Sequence, residues 1–117
     1  MKKTLPFALL SLALCAPAAI AAPVPVEGCV DLSSSHEGMR YGSKYVLIKD
    51  GDAHYRLDFG RACSAITASG SITIEAEGEA NRICASGTKV DTGRGDCNVR
   101  KVEAIDAETF ARYKKRR

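Results

Sequence analysis

The sequence predicts a mainly β fold: a small antiparallel barrel or sandwich of five to six strands, OB-like if the sheet closes, ending in a short helix. Three features carry that expectation. Short runs alternate apolar and polar residues with period two and are separated by Gly, Asp, Asn and Ser, the pattern of half-buried strands joined by tight turns. Cys29, Cys63, Cys84 and Cys97 fall within one short stretch of chain, as in domains stapled by disulfides rather than held by a large core. Clear helical spacing is confined to residues 106–117.

The chain opens MKKTLPFALLSLALCAPAAIAAPVP. Lys2 and Lys3, the apolar run Leu5 to Leu14 and the small-x-small pattern of Ala19, Ile20 and Ala21 have the layout of a secretory signal peptide. The apolar run is too short for a comfortable membrane span. Cleavage is expected between Ala21 and Ala22, since a cut one residue later would put Pro23 first. A lipoprotein at Cys15 is the weaker alternative, because Leu14 stands where a small residue is needed. The expected organisation is a signal peptide over 1–21, a Pro-punctuated flexible lead-in over 22–28, a disulfide-linked β domain over 29–105, and a helix with a basic tail over 106–117.

Within the domain, DLSSSHEGMRYGS is turn-rich, with a short strand at Met39 to Tyr41. KYVLIKDGDAHYRLDFG holds two apolar runs around Asp50-Gly51, a dipeptide suited to a type I′ hairpin turn. In the second run Tyr55, Leu57 and Phe59 form the inward row and His54, Arg56 and Asp58 the wet row. RACSAITASG is a short helix or an irregular crossover. SITIEAEGEA reads as one strand, with Ile72, Ile74 and Ala76 on one side and Thr73, Glu75 and Glu77 on the other. Thr88 to Val90 is a further short strand, and Val99 with Val102 to Ile105 forms the last. In DAETFARYKKRR, Asp106 suits the N-cap, Phe110 and Tyr113 share a face, and the terminal cations complement the dipole.

The cysteines are 34, 21 and 13 positions apart, without C-x2-C spacing and with His36 and His54 near none of them. That argues against zinc and against a thioredoxin-like pair, and for two disulfides. Four cysteines permit three connectivities. The expected pairs are Cys63 with Cys84, tying the crossover to the next strand, and Cys29 with Cys97, tying the entry to the end of the sheet.

The succession YVLIKDGDAHYRLDFGRAC, an apolar strand, RIC with a following SG, and DC-V-KVEAID resembles a family of small, exported, uncharacterised proteobacterial proteins, a domain of unknown function. The likeness spans roughly Cys29 to Asp106 and rests on the four cysteines and a closing strand marked by Cys97, Val99 and Val102. It implies an exported, disulfide-linked β domain and assigns no catalytic residue. The Lys/Arg-rich C-terminus departs from it.

Charge narrows the partners. Of 17 Lys+Arg, Lys2 and Lys3 leave with the signal, and Lys114, Lys115, Arg116 and Arg117 lie in the tail, so 11 cations face 14 carboxylates in the body. No nucleic-acid face is expected. The tail is a candidate contact for anionic surfaces such as lipid head groups or envelope polymers. Other patterns are bland: Ser33, Ser34, Ser35 and His36 make a polar loop; Glu75, Glu77 and Glu79 make an acidic stripe that keeps an edge soluble; Arg94-Gly95-Asp96 is a solvated turn. The expectation is a secreted, periplasmic, non-enzymatic module with no cofactor and no metal, binding an envelope protein or polymer. An inhibitor-like module using the loop from Cys84 to Cys97, and an enzyme with a non-obvious site, are the alternatives.

Overall fold

The computed structural model describes residues 21–68 and 70–116. The chain leaves the lead-in through β1 (Val24–Pro25) and β2 (Cys29–Asp31), then builds a meander of β3 (Glu37–Tyr41), β4 (Tyr45–Asp50) and β5 (Ala53–Asp58). After the short helix α1 (Ser64–Ala68) come β6 (Thr73–Ala76), β7 (Glu79–Ala80), β8 (Arg82–Cys84), β9 (Thr88–Asp91), β10 (Asp96–Asn98) and β11 (Lys101–Ile105). Helix α2 (Ala107–Lys115) closes the chain.

The strands form an antiparallel five-stranded sheet, ordered β1-β11-β5-β4-β3, a four-stranded sheet, β10-β9-β6-β7, and the ribbon β2-β8. The fold is mainly β and sandwich-like, with no closed barrel, so the OB-like option is set aside. The described strands outnumber the five or six expected because β1, β2, β8 and β10 form where no strand is expected, and because the predicted strand SITIEAEGEA breaks into the hairpin β6–β7. Glu77 and Gly78 take φ of 54° and 77°, and the chain folds back with Ala76 opposite Glu79. The β4–β5 turn also shifts by one residue: Asp50 pairs with Ala53, so Gly51 and Asp52 are its central residues. Positive φ falls on Gly51 (62°) and not on Asp52, the pattern of a II′ rather than an I′ turn.

The lead-in is extended as expected but is not loose. Val24 and Pro25 lie opposite Ala104 and Glu103, and the Val26 N–H donates to the Val102 carbonyl at 2.9 Å. Pro25 sits on the outermost strand, where its missing N–H costs no ladder bond.

The main core lies between the two sheets. Val46, Ile48, Leu57 and Val102 of the larger sheet meet Ile74, Val90 and Cys97 of the smaller, with Ile66 of α1 and Ile83 of β8 sealed among them. Each such aliphatic chain contributes roughly 1.5–3 kcal/mol by leaving water. The outer face of the larger sheet is also covered. Phe110 of α2 packs on Leu47 and Ile105 in a second cluster, and Tyr113 lies against it. His54, expected on a wet face, is therefore only 8% exposed, with its ring 4.8 Å from that of Phe110.

The disulfide pairing differs from the expectation of Cys63 with Cys84 and Cys29 with Cys97. Cys29 is bonded to Cys84, and Cys63 to Cys97. The ladder dictates the first pair, since antiparallel β2 and β8 place Cys29 directly opposite Cys84 with Cα atoms 3.9 Å apart. The second pair ties the entry of α1 to β10 across 6.0 Å between Cα atoms.

Candidate functional site

β3 ends the five-stranded sheet, and only the second half of β6, Glu75 and Ala76, is paired to β7. A groove of about 550 Å³ opens between β3 and the start of β6. Gly38, Met39 and Arg40 form one wall, the segment from Gly70 to Ile74 the other, with His36 and Asn81 also lining it. Gly38 leaves its wall bare; a Cβ there would meet Ile72 Cδ1 at an ordinary 3.9 Å. Arg40 is anchored by donating from Nη1 to the Ile66 carbonyl at 3.1 Å. Asn81 is held with φ of 62°, its N–H donating to the Ile74 carbonyl and its carbonyl accepting from Leu32 N–H, each at 2.8 Å. Both backbone bonds of Asn81 are thus committed to the fold, and its amide side chain is the remaining polar group. The groove combines amide, hydroxyl, imidazole and guanidinium groups, which suits an extended polar ligand better than an apolar one.

Ser33 and His36 are brought near an acid, but not in a nucleophile's arrangement. Ser33 Oγ donates to Asp50 Oδ1 at 2.5 Å and the Ser33 N–H donates to Asp50 Oδ2 at 2.9 Å, while His36 Nδ1 lies 2.7 Å from the Ser33 carbonyl. The imidazole does not stand between hydroxyl and carboxylate, as a triad requires. The Ser33 hydroxyl, then its amide, hold the Asp50 carboxyl below its ordinary value, with His36 adding a small electrostatic pull against slight burial. Such a carboxylate is a poor base. The cluster fastens the loop to the β4–β5 hairpin.

The other residues singled out from sequence separate. Glu75 lies opposite Lys89 in the ladder, and Lys89 Nζ reaches Glu75 at 3.4 Å and Asp96 at 3.5 Å. Glu77 sits in the β6–β7 turn 3.6 Å from Arg82, which also bonds Asp31 at 2.7 Å. No single acidic stripe forms. The segment from Cys84 to Cys97 is not a protruding loop: Thr88, Val90 and Cys97 are buried, and Thr88 Oγ1 both accepts from Cys84 N–H and donates to the Cys84 carbonyl at 2.8 Å. Arg94 is at an exposed turn, where its N–H donates to Thr92 Oγ1 at 3.0 Å. Lys114 and Lys115 occupy the last turn of α2 and Arg116 its C-cap, all exposed. Arg117 lies outside the described residues, as does the expected leader up to residue 20, Cys15 included. Ala21 is described, and its N–H donates to Asp106 Oδ2 at 3.0 Å.

No family model, curated protein or solved structure matches the chain. Function has to come from the chain's own residues. Among those described, Cys29, Cys84 and Glu77 place potential metal-ligand atoms within 4.8 Å of one another, but both sulfurs are spent in a disulfide. No described helix is long and apolar enough to cross a membrane. Two disulfides fit an oxidising compartment, outside the cytoplasm. The groove residues Gly38, Arg40 and Asn81 were not singled out from sequence. Asn81 carried a usable signal, an Asn suited to positive φ just after a Glu-Gly turn.

Proposed function

We propose that the chain is exported through an N-terminal signal peptide, cleaved between Ala21 and Ala22, and acts in the periplasm as a binding module of the cell envelope rather than as an enzyme. It belongs, on this reading, with the exported proteobacterial family that its cysteine pattern resembles. The observation that carries the binding role is the polar groove between β3 and β6, a concave site walled by backbone-rich strands and closed by Asn81. A partner would enter as an extended polar segment of an envelope protein or polymer, hydrogen-bonded along the walls. The buried hairpin between Cys84 and Cys97 gives no support to an inhibitory loop there.

Two measurements test this. Intact mass of the exported protein should begin at Ala22 and lack Cys15; a lipid-modified mass starting at Cys15 would overturn the localisation. Co-purification from a periplasmic extract should recover a partner with the wild-type chain and lose it with Gly38→Phe. That substitution fills the groove from a position with no positive φ and no Cβ clash. Capture that is indifferent to Gly38→Phe sinks the groove as the binding site.

A further inference from the structure

The strand register sorts the charges toward opposite ends of the larger sheet. At one end the β4–β5 turn carries Asp50 and Asp52, beside Glu37 and Asp106. At the other, three connections meet. The Phe59 N–H donates to the Lys44 carbonyl at 3.0 Å, the Cys63 N–H to the Ser43 carbonyl at 2.8 Å, and the Arg100 N–H to the Asp58 carbonyl at 2.7 Å. These bonds gather Lys44, Arg61, Arg100 and Lys101 at a single end, all of them exposed. Arg61 and Arg100 line a cavity of about 510 Å³ there.

Helix α2 runs toward the same end. Phe110 lies over His54, but three residues later the Tyr113 ring is 6.0 Å from that of Tyr45, which stands opposite Asp58, itself opposite Lys101. Lys114, Lys115 and Arg116 therefore join the sheet cations instead of trailing from the domain as a separate tail. None of these side chains is in an ion pair among the described residues, in contrast to Arg56, Arg82 and Lys89. The carboxylates at this end are fewer: Glu27, Asp58, and Asp96, which is held by Lys89. Three half-buried tyrosines, Tyr41, Tyr45 and Tyr113, cluster here too.

We propose that this basic end of the sandwich docks on an anionic phospholipid surface. The cations are spread over three connections and a helix end. A small anion in the cavity meets the two of these cations that line it, Arg61 and Arg100, whereas a layer of phosphate head groups can answer all of them at once. Tyrosine rings, apolar in body with a polar tip, suit the head-group level. The proposal shares with the groove reading only the export of the chain, and it uses different residues.

The test is co-sedimentation of the purified oxidised protein with phosphatidylcholine vesicles, with and without phosphatidylglycerol. Binding is expected only with phosphatidylglycerol, and should collapse between about 0.1 M and 1 M salt as the screening length falls from roughly 10 Å to 3 Å. Lys44→Gln and Lys101→Gln should each weaken it roughly fivefold, at about one decade per 1.4 kcal/mol and about 1 kcal/mol per cation. Lys49→Gln, on the outer part of β4 next to Asp50, should leave binding unchanged. Intact disulfides and an unaltered melting temperature in each variant exclude misfolding as the cause. No binding, equal binding to pure phosphatidylcholine, equal loss for Lys49→Gln, or loss confined to removal of residues 114–117 would each overturn the proposal. Failure here leaves the Gly38→Phe result standing on its own.

Discussion

Arg56 is engaged by three side chains among the described residues, Glu103, Tyr113 and Tyr45. It lies opposite Glu103 in the ladder, donates to Glu103 Oε1 from Nε at 3.1 Å and Nη2 at 2.5 Å, and donates from Nη1 to the Tyr113 hydroxyl at 2.5 Å. Its guanidinium also sits 5.3 Å from the Tyr45 ring centroid. Burial alone would depress its pKa, but the bonds to Glu103 and Tyr113 outweigh that and raise it. Removing one partner leaves the other charge half-sealed under α2, so Arg56→Ala should cost about 3 kcal/mol in denaturant unfolding, and Arg56→Met with Glu103→Leu considerably less. Equal losses would mean that the pair is solvated and only its packing counts. Asp50 gives a finer test. Its folded pKa lies below the ordinary 3.8, so its contribution to stability is complete above that value and is lost as pH falls through the lower folded value. Carbon-detected NMR titration should place its midpoint under 3.8, and Ser33→Ala should move it back up.

Helix α2 shows how an element alters what its neighbours mean. Asp106 caps it by accepting from Thr109 N–H at 2.8 Å, and hydrogen bonding by Thr109, then by the Ala21 amide, holds its carboxyl low. That much was legible in DAETFARYKKRR, as was the apolar pairing of Phe110 with Tyr113. What those two residues cover was not. Period two in AHYRLDF marks two faces but cannot say that a helix fifty residues on will dry the second one, and so His54 and Arg56 read as wet. Similarly, alternation continued through Glu75, Glu77 and Glu79 masked the turn that Gly78 signals. The groove was invisible for a related reason: it is a gap between β3 and β6, far apart in sequence, and no local pattern records a strand that is absent. Phe110→Ala should destabilise by about 3 kcal/mol, near the low end for a buried aromatic because the site lies at the margin of the core. It should also expose His54, read by faster imidazole hydrogen exchange. A loss under about 1 kcal/mol would mean that α2 is not a working part of the fold.

For the molecule as a whole, one disulfide reinforces a ladder and the other joins layers that the ladders leave separate. Cys29–Cys84 closes the ribbon β2-β8 over a separation of 55 residues, and Cys63–Cys97 links α1 to the smaller sheet over 34. Loop-closure entropy assigns each about 4 kcal/mol taken alone, a large share of what a domain of this size can hold. The pairing missed from sequence followed from a register that only the assembled sheets reveal: Val30 opposite Ile83 brings Cys29 to Cys84 and leaves Cys63 to Cys97. Unreduced peptide mapping should therefore return those two linked peptides and no others. The two bonds also differ in access. Cys84 and Cys97 are both buried, at 3% and 2% exposed, but Cys29 is exposed where Cys63 is only partly so, and a thiolate in solution reaches Cys29 more easily than Cys63. Graded reduction under native conditions should open Cys29–Cys84 first, leaving the sheets joined and the melting temperature lowered by many degrees; Cys63–Cys97 should open only at higher reductant. If both bonds open together at low reductant, the core around Cys97 does not protect it, and the sandwich packing that surrounds Ile66, Val90 and Val99 is looser than its burial implies.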